Sequence, residues 1–75
     1  MNLKDAVAVA KKRLEEVFAA EVPQNLRLEQ FLWDDHLGVW SLTIGFARRD
    51  RPDTRSYKLV RVLEADKSVL SINDP

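Results

Sequence analysis

Hydrophobic residues near the start of the chain recur every three or four positions, which is the spacing of one face of an α-helix. The residues that follow this spacing are Leu3, Ala6, Val7, Ala10, Leu14, Val17 and Phe18. Asn2 can cap the first turn with its side-chain oxygen, and Pro23 disfavours helical backbone at the residue before it. The pattern therefore predicts an amphipathic helix over about residues 2–20.

Beyond Pro23, hydrophobic residues alternate with polar ones, which is the pattern of β-strands with one buried face. The most regular alternation is that of Trp40, Leu42, Ile44 and Phe46. The predicted strands cover about residues 26–33, 39–48, 55–64 and 69–72. The predicted connections are turns at 34–38 and 66–67 and a polar loop over 48–54.

The order of the predicted elements is α-β-β-β-β, with short connections and no helix between strands. Strands joined in this way pair antiparallel, in a meander. The sequence therefore predicts a single α+β domain over residues 1–75, in which one N-terminal helix packs on a three- to four-stranded antiparallel sheet.

One helix covers only one face of such a sheet, so each strand should present one side to the core. The side chains assigned to the core are Leu26, Leu28 and Leu32, then Trp40, Leu42, Ile44 and Phe46, then Val60 and Val62. The opposite choice in the third strand would bury Arg61, and burying an unpaired charge costs several kcal/mol. This assignment leaves Phe31, Trp33, Tyr57, Leu59, Arg61 and Leu63 on the helix-free face.

The helix-free face is more apolar than a solvated sheet face should be. Gly45 lies on it, and either Trp33 or Tyr57 is expected to cover this glycine. Two interpretations of the face stay open. Long side chains such as Arg27 and Arg61 can fold over the aromatic rings, or the face can bind a protein partner or a second copy of the chain.

The net charge is zero, with 12 basic and 12 acidic residues, which removes the general electrostatic case for binding nucleic acid or anionic membranes. Basic residues nevertheless outnumber acidic ones by six to two between Arg48 and Arg61. The candidate basic contact residues are Arg48, Arg49, Arg51 and Arg55. A solvated hairpin tip is the favoured interpretation, because no aromatic residues alternate with these arginines to stack on bases.

The chain offers little for catalysis. It has no cysteine and one histidine, so neither a thiol nucleophile nor a site with several histidines is available. The sequence Asp34-Asp35-His36 is typical of a solvated turn. We therefore expect no enzyme activity, no cofactor and no metal. No apolar run has the length of a signal peptide or a membrane span, so the expected location is the cytoplasm.

The segment from Arg55 to Ile72 resembles the closing hairpin of PepSY-like domains, and Asp5–Ala10 resembles their N-terminal helix. Lys67 stands where the family has a turn glycine, and Leu63 where it has an acidic residue. The resemblance implies a binding or modulatory module, since this family is proposed to inhibit or modulate peptidases. Most PepSY domains are exported, whereas this chain shows no signal. No catalytic residues follow from the resemblance.

Two alternative functions stay open. Gly38-Val39-Trp40 resembles a strand start in small cytoplasmic immunity proteins of bacterial toxin systems, which would imply a toxin-neutralising role. The basic segment from Arg48 to Arg61 would suit a nucleic-acid accessory factor. A homodimer or another protein partner is expected under the leading hypothesis.

Overall fold

A computed structural model describes residues 2–75 and confirms the α+β arrangement. The elements are helix α1 (Leu3–Val17), a short 3-10 turn (Ala19–Glu21) and strands β1 (Gln24–Asp34), β2 (Val39–Arg48), β3 (Arg51–Leu63) and β4 (Ser68–Asn73). The strands form one sheet in the order β1-β2-β3-β4, and each neighbouring pair is antiparallel.

Helix α1 begins with the predicted cap. The Asn2 side chain accepts a hydrogen bond of 2.9 Å from the backbone amide of Asp5, which satisfies one of the free amides of the first turn. The helix ends earlier than predicted, because residues 19–21 tighten into a 3-10 turn and Val22 adopts the left-handed conformation with φ of 49°. Pro23 then directs the chain into β1.

The core lies between α1 and the middle of the sheet. Its fully buried residues are Ala6, Ala10, Leu14, Leu42, Ile44, Phe46, Val60 and Val62. This set confirms the predicted inward sides of β2 and β3, and Trp40 packs against the same core while staying partly exposed. Two of the three buried helix residues are alanines, so the helix backbone can approach the sheet closely.

The predicted inward side of β1 is wrong beyond Leu28. Leu28 pairs with Ile44 but Gln30 pairs with Thr43, so Glu29 is an extra residue in the ladder, a β-bulge. A slip of one residue moves every later side chain to the opposite face. The bulge thus places Phe31 and Trp33 on the helix side of the sheet and Leu32 on the helix-free side.

The polar loop predicted over 48–54 is also shorter than expected. Ala47 pairs with Arg55 and Arg48 pairs with Arg51, so β3 begins at Arg51 and residues 52–54 bulge out of the ladder. Proline has no amide to donate, and bulges are among the few places where a sheet accepts it. Pro52 therefore fits inside β3 without removing a ladder hydrogen bond.

The turns before β2 and β4 both end in a residue with left-handed backbone conformation. Gly38 has φ of 63° and Lys67 has φ of 60°, so both occupy the left-handed region. A glycine adopts this conformation without strain, whereas a residue with a Cβ atom does so at a cost of roughly 1–2 kcal/mol. Lys67 is therefore a strained position.

We expect Lys67→Gly to raise the free energy of unfolding by about 1 kcal/mol. The gain is smaller than the full strain because glycine also increases the entropy of the unfolded chain. Urea denaturation followed by circular dichroism would measure it. Lys67→Ala is the matched control: it removes the long side chain but keeps the Cβ atom, and an equal gain there would contradict the backbone explanation.

Candidate functional site

Three aromatic side chains cluster on the helix side of the sheet. The ring centroids of Trp33 and Trp40 are 4.8 Å apart, and those of Phe31 and Trp40 are 6.5 Å apart. Phe31 remains 56% exposed and Trp33 37% exposed, so α1 does not cover them. The bulge at Glu29 creates this aromatic cluster, because regular alternation would have turned both side chains to the other face.

Leu32 lies between these two residues and projects from the opposite face, where it is 66% exposed. Phe31, Leu32 and Trp33 are named here the β1 contact surface. They lie on an edge strand, since β1 pairs only with β2 within the described chain. Strand edges with exposed apolar residues and no protecting Lys or Pro are prone to pair with another chain. This surface is therefore the strongest candidate contact region.

The other four predicted contact residues lie together on the helix-free face. Tyr57, Leu59, Arg61 and Leu63 occupy alternate positions of β3, and none of them is fully buried. The structure thus divides the predicted six-residue set between two faces, with Phe31 and Trp33 on one and the β3 residues on the other. The sequence pattern placed all six on one face because it does not reveal the bulge at Glu29, and no single residue type indicates a bulge.

Part of the helix-free face is covered by the chain itself. A Cβ atom built on Gly45 would lie 3.0 Å from Cε1 of Tyr57, so the tyrosine ring rests on the glycine backbone as predicted. Trp33 does not share this role. Nearby, Arg55 donates a 2.8 Å hydrogen bond to the carbonyl of Asn25. The side chains that cover the face around Gly45 are therefore Tyr57 and Arg55, whereas the predicted covering by Arg27 and Arg61 is not seen there.

The four candidate basic residues have different surroundings. Arg48 Nη1 lies 3.5 Å from Glu21 Oε1, and Arg55 is held by the carbonyl of Asn25. Arg49 and Arg51 are exposed at the hairpin tip. Arg48 and Arg55 therefore connect elements of the fold, and only the other two are freely available to a partner.

A cleft of about 540 Å³ lies next to this hairpin. The residues lining it are Ala20, Glu21, Val22, Arg48, Arg49 and Asp50. The lining holds two arginines and two carboxylates, so an anion would meet both signs of charge. This mixture weakens the case for a phosphate site.

The side chain of Asp34 stabilises the turn formed by Asp34-Asp35-His36. Asp34 Oδ1 accepts hydrogen bonds from the amides of His36, at 3.0 Å, and Leu37, at 3.1 Å. The Asp34 carboxylate is therefore used to stabilise the turn through bonds from the backbone. Across residues 2–75 no three acidic, histidine or cysteine side chains are grouped so as to hold a metal ion.

In the same range, no helix combines the length and the apolar character needed to cross a membrane.

Two carboxylates stabilise the β4 end of the sheet. Asp74 accepts a 2.6 Å hydrogen bond from Lys58 Nζ, and this bond with the lysine charge lowers the pKa of Asp74. The pKa of Asp66 is lowered by hydrogen bonds from the hydroxyl and the amide of Ser68. Lys58 Nζ also lies 5.5 Å from the centroid of the Phe18 ring, so it connects β3, the chain end and the helix end.

These two pKa shifts predict a loss of stability in acid. A carboxyl whose pKa is lower in the folded state stabilises the fold above its ordinary pKa of 3.8, and this contribution disappears as the pH falls through the folded value. Asp74→Asn should therefore make the unfolding free energy less dependent on pH below about 4. Urea melts over a pH series would measure the change. Asp53→Asn is the charge-matched control, and an equal flattening with it would contradict the assignment to the Lys58 contact.

Comparisons of the chain with protein-family models, with curated proteins and with solved structures found no match.

Proposed function

We propose that this chain is a non-enzymatic protein-interaction module of PepSY-like type that works in the cytoplasm. One observation carries the proposal: Phe31, Leu32 and Trp33 are three consecutive, exposed apolar residues on a strand edge that no other strand of residues 2–75 pairs with. Exposed apolar groups on a strand edge are a liability for a monomer, which makes a contact role the economical explanation. Tryptophan is also enriched among the residues that dominate binding energy.

The helix-free face is a secondary contact region in this proposal. Leu59, Arg61 and Leu63 are partly exposed there and follow Tyr57 along β3 on the same face. The Tyr57 ring lies on Gly45 and so covers one end of the face. We therefore expect β3 residues to add to a contact centred on β1 rather than to form one alone.

A binding comparison tests the proposal. The immobilised chain would be exposed to lysate of its source cells, bound proteins identified by mass spectrometry, and each candidate then purified and titrated directly. The triple change Phe31→Ser, Leu32→Ser, Trp33→Ser should abolish binding of the confirmed partner. The control Val17→Ser, Leu70→Ser changes residues of similar exposure, 56% and 50%, away from β1 and should bind normally.

Equal binding by the triple variant and the control would overturn the proposal. Circular dichroism must first show that both variants remain folded. The identity of the partner also separates the related hypotheses, because a toxin would indicate an immunity protein and a peptidase would indicate a PepSY-like modulator.

A nucleic-acid accessory role would have to use Arg49 and Arg51, which are the exposed members of the basic group. Binding of mixed oligonucleotides that weakens steeply with salt and disappears in Arg49→Ser, Arg51→Ser would favour that role over protein contact.

A further inference from the structure

We infer that the β1 contact surface binds a second copy of this chain, by antiparallel pairing of β1 with β1 about a two-fold axis at Leu32. The inference rests on the proposed function, because it uses the same surface. Two sheets of four strands would then join edge to edge into one continuous sheet. Both helices would lie on the same side of it.

The distribution of exposed residues favours edge pairing over docking on one face. Successive strand residues project to opposite faces, so Phe31 and Trp33 are exposed on the helix side and Leu32 on the helix-free side. A partner packed on either face would leave the other exposed. A strand added alongside β1 places side chains next to all three residues.

The backbone of β1 is oriented for this pairing at two residues. The carbonyl of Gly38 accepts a 2.9 Å hydrogen bond from the amide of Glu64, so it points toward β3. The amide of Val39 on the same peptide group then points toward β1, where Val39 pairs with Asp34. Backbone groups alternate in direction along a strand. Hence Phe31 and Trp33 direct their amides and carbonyls outward, away from β2.

With a two-fold axis at Leu32, all the outward amides and carbonyls of Phe31 and Trp33 can form hydrogen bonds. The axis places Phe31 opposite Trp33 of the partner subunit, and each such pair can exchange two backbone hydrogen bonds. The paired side chains lie on the same face, the helix side, where aromatic cross-strand pairs are stabilising. Leu32 meets the partner's Leu32 on the other face.

The charges next to the axis agree with this register. Gln30 lies opposite Asp34 of the partner subunit, so an amide faces a carboxylate, and no like charges oppose each other between residues 30 and 34. Moving the axis by one residue, to Phe31, would bring the bulged Glu29 into the ladder. The zero net charge of the chain adds no general repulsion between copies.

A cysteine at the axis gives a direct test, because the natural chain has no cysteine. Residues facing each other in a non-hydrogen-bonded antiparallel pair have Cα atoms about 4.5 Å apart, within the range of about 4.4–6.8 Å seen for disulfides. Leu32→Cys should therefore oxidise rapidly to a covalent dimer. Leu70→Cys, on the opposite edge of the sheet and similarly exposed, should not. Equal or no cross-linking in the two variants would overturn the inference.

Changes at Gln30 test the register. Gln30→Lys places a cation opposite Asp34 of the partner subunit in two symmetric pairs and should tighten the dimer by roughly two- to thirty-fold, whereas Gln30→Asp should weaken it by a similar factor. Sedimentation equilibrium would measure both dissociation constants. Unchanged values, or a wild-type chain that stays monomeric, would refute the inference. Continued binding of another protein through β1 would then leave the proposed function intact, whereas loss of both would refute both.

Discussion

Phe46→Ala should leave most of the domain unfolded at room temperature. The Phe46 side chain is fully buried, and its ring packs 5.7 Å from that of Phe18 at the end of the helix. Removing a buried phenylalanine costs about 3–5 kcal/mol. A core of this size rarely supplies more than about 3–5 kcal/mol of net stability. The loss is therefore comparable to the whole stability of the fold.

Far-UV circular dichroism as a function of urea would measure this effect. Leu37→Ala is the control, since it truncates a large apolar side chain at an exposed position outside the β1 contact surface and should cost less than about 1 kcal/mol. A Phe46→Ala protein that unfolds at the same urea concentration as the control would contradict the position of Phe46 in the core.

Leu14→Ala should destabilise the domain by about 2–5 kcal/mol. Leu14 is the one large side chain among the three fully buried residues of α1 within the described range, and the other two are Ala6 and Ala10. The core-facing residue one turn before it, Ala10, is too short to reach into the space it would leave. A helix of 15 residues is marginal in isolation, so weakening this contact should loosen the whole helix.

The measurement for Leu14→Ala is the helical circular-dichroism signal together with the urea midpoint. Val17→Ala on the same helix is the control, because Val17 is largely exposed and its truncation removes little buried area. If the two variants lost the same stability, Leu14 would not be the principal anchor of the helix.

The core side of β2 could be predicted because the strand lies in the middle of the sheet and alternates without interruption. Leu42, Ile44 and Phe46 are apolar on one side, and the residues between them are small or polar. In β3, the cost of burying Arg61 decided between two apolar sides. That an aromatic ring covers Gly45 was also predictable, because a glycine inside a strand leaves room for one, but the sequence left both Trp33 and Tyr57 open for this role.

The candidate site on β1 could not be predicted in the same way. Phe31, Leu32 and Trp33 are all apolar, so the hydrophobic pattern does not show which of them faces the helix. The side is decided by one extra residue, Glu29, whose identity does not mark a bulge. The early start of β3 at Arg51 was missed for a similar reason, since Pro52 indicates a loop unless the ladder bulges around it.

The order of the sheet has a consequence for the rate at which the protein folds. Every strand pairs with its neighbour in the sequence, and the connections between strands are only two to four residues long. Closing such short loops costs little entropy, and folding is fastest when contacting residues are close in sequence. The β2–β3 hairpin can form first, with β1 and β4 adding to its two sides. We therefore expect refolding at the fast end of the range for sheet proteins, with the bulged β1 joining after the central hairpin.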